Sequence, residues 1–268
     1  FSDGTTLAIG AKQNDGTTGD VNDNRGHVRV YKYRTVSENE WTTKNIIKGD
    51  DTDKANPTAN KEYWIQMGSD IDGEAAGDQS GMSVSLSSDG TTLAIGAIIA
   101  KNDADPAMAT GHVRVYKWNS TLEKWVQLGS AIDGDAPGDH SGHAVSLSSD
   151  GTTLAIGATN AKNDAAVATG HVRVYKWNST LQDWEKMGAD IYGEAAGDQS
   201  GKSVSLSKVD LDDGSTQIRL AIGAPGNNGN GTGHVRVYKW DSTLEVSAWV
   251  QMGSAIDGDA PGDESELQ

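Results

Sequence analysis

Three carboxylates fall within four residues at Asp210, Asp212 and Asp213, in the run K-V-D-L-D-D-G-S, with Gly214 to turn the chain. Closely spaced carboxylates beside a glycine let a loop surround a hard cation with oxygen, so calcium is the cofactor expected there. The same chemistry recurs more thinly at Asp72 and Asp78, at Asp133, Asp135 and Asp139, at Asp190 and Asp198, and at Asp257, Asp259 and Asp263. Aspartate also caps backbone N–H groups in tight turns, and for these repeated Gly-Asp turns the structural role is the expected one. Asp20, Asn22, Asp23 and Asn24 form a further oxygen-rich loop, read as solvated acid. His27, His112, His171 and His234 hold one repeated position. Neutral imidazole is a good metal ligand, but repetition points to packing or hydrogen bonding at the start of a strand. His140 and His143 occur in one copy only and receive no role. No Ser-His-Asp set and no nucleophile-elbow word can be assembled, so catalysis is not expected. Asn119, Asn178 and Asn230 open N-glycosylation acceptor words, which call for exposed loops.

The elements that must position these residues are written as a repeat. The word LAIGA begins at Leu7, Leu93, Leu154 and Leu220, and GHVRVYK follows at Gly26, Gly111, Gly170 and Gly233. A Trp-containing word comes next, at Trp64, Trp125, Trp184 and Trp249, and then the Asp-Gly turn. The period is about 60 residues, stretched in the first copy by a polar insertion at 34–62. The units run 1–82 (with that insertion), 83–143, 144–202 and 203–268, in a single repeat domain. Within one unit the segment from Ser83 alternates polar and apolar as a half-buried strand does, and Ser88-Asp89-Gly90 supplies a hairpin turn. Thr91–Ala97 reads as the second strand, His112–Trp118 as the third, and the stretch from Trp125 to Leu128 as the fourth. In the third strand Val113 and Val115 point one way, and His112, Arg114 and Tyr116 the other. No segment carries a helical period. The fold expected is all-β, a β-propeller of four visible blades, either a closed four-bladed ring or part of a larger propeller or array. Repeated Trp positions are expected to pack between units.

Composition narrows the partners. A formal charge of −16 over 268 residues disfavours nucleic acid and anionic membranes, because like charges repel. There is no cysteine, which excludes disulfides and thiolate chemistry. No apolar run approaches the ~20 residues of a membrane helix, so membrane insertion is not expected. A start at Phe1 reads as that of a processed or excised piece.

The words G-D-x-S-G-x-x-V-S-L-S-S-D-G-T-T-L-A-I-G-A and G-H-V-R-V-Y resemble the FG-GAP repeats, the blades of integrin alpha-chain propellers and of related secreted proteins. Ser80-Gly81, Ser141-Gly142 and Ser200-Gly201 stand where that family has Phe-Gly, and Gly223-Ala224-Pro225 matches its Gly-Ala-Pro. The family's calcium loop shrinks here to Ser-Asp-Gly in three copies and is expanded only around Asp210–Gly214. Its propellers have seven blades where four are visible here, and Glu266 replaces the glycine of the Ser-Gly word, which favours an array over a ring. The resemblance implies an extracellular or cell-surface module, structural or adhesive and non-catalytic. Its partners would be other proteins or further copies of itself, and glycans. A carbohydrate-binding propeller is the alternative, and a secreted hydrolase on the same scaffold the third reading.

Overall fold

The computed structural model describes residues 4–15, 23–35, 62–101, 108–226, 232–244 and 248–260. Asp20, Asn22, Asn230, Asp263, most of the insertion and both chain ends lie outside them, and with them the question of whether Phe1 and Gln268 meet.

Nineteen strands form four antiparallel sheets, and there is no helix among the described residues. The first sheet holds β1 (Thr6–Ala11), β2 (His27–Thr35), β3 (Glu62–Gln66) and β4 (Ile71–Asp72). The second holds β5 (Ser80–Leu86), β6 (Thr92–Ala97), β7 (His112–Asn119), β8 (Lys124–Gln127) and β9 (Ile132–Asp133). The third holds β10 (Ser141–Leu147), β11 (Thr153–Ala158), β12 (His171–Asn178), β13 (Asp183–Lys186) and β14 (Ile191–Tyr192). The fourth holds β15 (Ser203–Asp210), β16 (Thr216–Ala224), β17 (His234–Asp241), β18 (Ala248–Gln251) and β19 (Ile256–Asp257). Each is a meander, and the sheets pack first on second, second on third and third on fourth. These are propeller blades.

The outer strand differs from the single strand that the sequence implies. It is broken in two: β8 pairs the end of β7, with Trp118 opposite Trp125, and β9 pairs its beginning, with His112 opposite Asp133. Between them Leu128 N–H still donates to Val115 C=O at 2.7 Å. The break lets the chain leave the sheet, turn through Gly129 (φ 79°), and re-enter beside the inner end of the blade. That re-entry carries the Asp-rich turn to the boundary with the next blade.

The core lies between sheets. One apolar cluster joins Ala94, Val113 and Val115 of the second blade to Val145, Leu154 and Ile156 of the third. A blade flanked on both sides buries both faces of its central strands, so residues 112–116 of β7 are buried without alternation. Glycines set the spacing between blades. In the first three LAIGA words the glycine faces the glycine of the following Ser-Gly word: Gly10 faces Gly81, Gly96 faces Gly142 and Gly157 faces Gly201. Tryptophans tie the other end, where Trp125, Trp184 and Trp249 donate Nε1–H to the carbonyls of Met67, Leu128 and Met187 in the preceding blade, at 3.0, 2.9 and 2.9 Å. Trp184→Phe keeps an aromatic ring but removes part of the buried indole together with the donor to the Leu128 carbonyl. A loss of about 1–2 kcal/mol in urea unfolding is expected. Wild-type stability in that variant would mean the bond contributes nothing.

Candidate functional site

Each blade begins its third strand with a histidine, and the Asp-rich turn of the preceding blade reaches the same gap. His27, His112, His171 and His234 are 5, 1, 2 and 0% exposed. Burial, and then the charge of the arginine two residues on, holds His112 at about 4, and the same causes lower His171. All four are lowered, so these imidazoles are neutral at pH 7, with a lone pair to offer.

Two further columns of the repeat decide what surrounds each imidazole. Just before the last short strand stand Asp70, Ala131, Asp190 and Ala255. Two residues after it stand Glu74, Asp135, Glu194 and Asp259, and this acid reaches towards the following blade. At the second blade His112 has Asp133 at 3.9 Å, and at the fourth His234 has Glu194 at 4.0 Å. Between the second and third blades both columns are acidic. There Asp135, His171 and Asp190 bring their ligand atoms within 4.8 Å of one another, and they are the metal-capable group among the described residues. Neither ring nitrogen of His171 has a hydrogen-bond partner.

The two carboxylates are held in place. Arg173, 3% exposed, donates to Asp135 Oδ1 at 2.7 Å, to the Asp133 carbonyl at 2.7 Å and to Ser141 Oγ at 3.2 Å. Lys186 Nζ lies 2.5 Å from Asp190 Oδ1. The Tyr192 hydroxyl is 3.3 Å from both Asp190 Oδ2 and Asp164 Oδ1. Burial and these two carboxylates push that hydroxyl up to about 12, so it stays a donor. Tyr192 stands where the other three copies have Asp72, Asp133 and Asp257, and its ring meets His171 edge-on at 5.6 Å. Asp135 is exposed and Asp190 half-buried, so solvent reaches the group from the Asp135 side.

The expected calcium ligands lie elsewhere. Asp210 ends β15, and Asp212 and Asp213 sit in the β15–β16 turn. Asp213 Oδ1 accepts from Ser215 N–H and from its hydroxyl at 2.9 and 2.6 Å, and Asp210 Oδ1 from Thr216 Oγ1 at 3.2 Å. The repeated aspartates 78, 139 and 198 cap the backbone N–H groups of Ala75, Ala136 and Ala195 at 2.7–2.8 Å, which is turn chemistry. Asn119 and Asn178 are the last residues of β7 and β12, where each side-chain oxygen accepts from the backbone N–H groups two and three residues on. A cavity of about 480 Å³ between the first two blades is lined by Lys32, Arg34, Asp89, Trp118 and Glu123. It lies at the Trp end, apart from the Asp135–His171–Asp190 group, and brings no such donor set together.

No family model and no curated protein matches the chain. Among solved structures, one assigned as a 6-phosphogluconolactonase of Bacteroides uniformis is similar over 97% of this chain and 57% of its own, at 13% identity and a TM-score of 0.48. The periplasmic gluconolactonase of Pseudomonas aeruginosa is similar over 96% of this chain and 69% of its own, at 11% identity and a TM-score of 0.36. This chain therefore spans a little over half the length of the first. At these identities the likeness speaks to fold. It nevertheless corrects the expectation of a non-catalytic adhesive module, which rested on reading the propeller as a scaffold: the propellers found here carry the names of enzymes. No helix of the described residues is long and apolar enough to cross a membrane.

Proposed function

We infer that the chain is a hydrolase of small esters that uses a divalent ion held by Asp135, His171 and Asp190. The observation that supports it is the convergence of these three ligands at one blade boundary, where the repeat departs from its own pattern. One imidazole and two carboxylates suit zinc better than calcium, which takes oxygen ligands alone. Three protein ligands with a solvent-facing side match the open coordination of catalytic zinc sites. Such an ion polarises a carbonyl and lowers the pKa of bound water.

The protein's own contribution is orientation. Arg173 fixes Asp135, and Lys186 with Tyr192 fixes Asp190, so both carboxylates present oxygens to one point without rotamer search. Neutral His171 needs no deprotonation before it ligates. Lactones, the substrates in the names of both solved propellers, are the first class to try for a chemical reason. Water adds to the carbonyl carbon, the ring C–O bond breaks and the ring oxygen takes the proton, giving one hydroxy acid with no leaving group to expel.

Zinc titration into chelator-treated protein should reach one equivalent and switch on lactone hydrolysis. Asp135→Asn preserves the Arg173 hydrogen bond and should lower zinc affinity and hydrolysis by about 10–100-fold, with the circular dichroism unchanged. Unchanged zinc affinity in both Asp135→Asn and His171→Ala would sink the reading. A secreted setting goes with the proposal, supported by acceptor words at exposed turns, where Thr121 and Thr180 are open to solvent.

A further inference from the structure

The cavity of about 480 Å³ at the Trp end of the first two blades lies within the ~300–1,000 Å³ of small-molecule sites. Its two walls differ in chemistry. On the first blade Lys32 stands directly opposite Ile65 across β2 and β3, and Arg34 lies two residues on, so the three share one face. On the second blade the wall is made by Trp118, Glu123 and Asp89, the last in the β5–β6 turn. Cations and aliphatic carbon therefore line one side, and carboxylates with an indole the other.

Both walls are fixed before any ligand arrives. Lys32 Nζ donates to Thr6 Oγ1, and Arg34 donates to the Thr35 carbonyl, each at 3.2 Å. The Trp118 ring packs on Trp125 at 5.5 Å, and Trp125 is itself bonded to the Met67 carbonyl of the first blade. Asp89 accepts from the Ser87 hydroxyl, the Thr91 N–H and the Thr91 hydroxyl at 2.6, 2.9 and 2.6 Å. Asp89 and Glu123 are exposed, so solvent reaches the cavity past them.

The other blade boundaries close the same spot. Between the second and third blades Asp183 accepts from the Ser130 N–H and hydroxyl at 2.9 and 3.0 Å, and a Cβ at Gly129 would stand 2.7 Å from its Oδ1. Between the third and fourth, where that column holds Ala248, Trp240 and Trp249 close on Gly188 at 2.8 and 3.3 Å. At the first boundary the column holds Lys124, and the atoms nearest a Cβ at Gly68 are the Trp118 ring at 3.2 Å and the backbone of Glu123 and Lys124. The Arg34 column changes with it. Asn119, Asn178 and Asp241 each cap the turn that follows, whereas β2 runs on to Thr35 and Arg34 lines the cavity. The repeat gives up a bridge and a cap at one boundary, and a cation faces the space left there.

We propose that this cavity binds a monosaccharide-sized sugar acid, a six-membered sugar ring carrying one carboxylate. The carboxylate goes to Lys32 and Arg34, whose guanidinium fork matches it. Ring hydroxyls donate to Asp89 and Glu123, which as ionised carboxylates only accept. The C–H face of the ring lies on Ile65 and Trp118. A neutral sugar leaves the cations unused, and a plain carboxylic acid meets the carboxylates of the second blade with no hydroxyl to offer them. The site does not depend on the hydrolase reading, since it shares no residue with Asp135, His171 and Asp190.

Calorimetric titration of the full chain with glucuronate should show one site. Glucose, which lacks the carboxylate, and cyclohexanecarboxylate, which lacks the hydroxyls, should each bind at least about tenfold more weakly. Arg34→Asn uses the residue that β7 and β12 carry in that column, so the fold should be kept and glucuronate affinity should fall at least about tenfold. Lys124→Asp restores the carboxylate of the next boundary, with Ser69 as its partner in the place of Ser130, and should abolish binding with the urea midpoint kept. Asp135→Asn should bind glucuronate as the wild type does, so a failure of the metal reading leaves this result standing. No binding of glucuronate, equal affinity for either control compound, or wild-type affinity in either cavity variant overturns the site. Loss in Asp135→Asn alone overturns it too, by placing the sugar acid at the metal-capable group.

Discussion

Gly157→Ala should cost about 3 kcal/mol or more, a large part of the ~5–15 kcal/mol that holds a typical domain together. An added Cβ would stand 2.0 Å from the Gly201 carbonyl oxygen, 2.8 Å from its carbon and 3.1 Å from its Cα. All three atoms are backbone, in the first strand's approach to the neighbouring blade, so no side chain can swing aside. Relief requires the third and fourth blades to move apart, and the buried Ala155, Val172, Leu220 and Ile222 lie in the layer that such a movement opens. Conformation is not the issue at Gly157, since its φ is ordinary. Gly138→Ala is the matching control: φ is +82° there and nothing lies within 4 Å of the new Cβ. That variant should lose only the ~1–2 kcal/mol of a left-handed alanine. Urea midpoints decide it, and equal losses for the two variants would mean that blade spacing is not set by the glycine pair.

That glycine contact shows what the residues alone could convey. Small residues in LAIGA imply a strand crowded by its neighbours, and Gly96 against Gly142 is such a contact. The same reasoning fails for β7, where alternation assigns Arg114 and Tyr116 to a face opposite the valines. The assignment of directions is sound, but a blade has a neighbour on each side and buries both. β9 goes unread because two residues, Ile132 and Asp133, carry no period and sit in a stretch whose Asp and Gly spell a turn. The metal-capable group was legible only in pieces. His171, Asp135 and Asp190 each belong to a repeated column, and repetition argues for structure in each column taken alone. What joins them is the approach of one blade's turn to the next blade's strand, which no local pattern encodes. One signal was present in the letters: the column Asp70, Ala131, Asp190, Ala255 changes charge where its neighbours hold steady. A repeat that keeps its packing words and varies one column is free of structural demand at that column.

Acid should weaken the fold between about pH 6.5 and 4, well above the range where ordinary carboxylates titrate. His112 is 1% exposed, and burial followed by the Arg114 charge lowers it from 6.5 to about 4. In the unfolded chain the same imidazole takes a proton near 6.5. Between those two values the unfolded state binds the extra proton, so stability rises with pH there, and the contribution present above 6.5 is lost as pH falls to about 4. His112 alone accounts for about 3 kcal/mol on this scale, and His27, His171 and His234 are lowered in the same direction. Two buried carboxylates act oppositely. Burial raises Asp78 and Asp139, so the folded state binds their protons more readily and gains as pH falls from their raised values towards 3.8. Asp89 adds to the loss lower down: burial pushes it up, but Ser87 and Thr91 hydrogen bonds outweigh that and hold it at about 2, so its share disappears below 3.8. The histidines therefore govern the upper limb, and the slope of unfolding free energy against pH counts their protons. His112→Gln removes one titrating group and keeps a neutral polar side chain, and the slope between pH 6 and 5 should fall by about one proton. A slope unchanged by that substitution would place the acid sensitivity in the carboxylates rather than in the buried histidines.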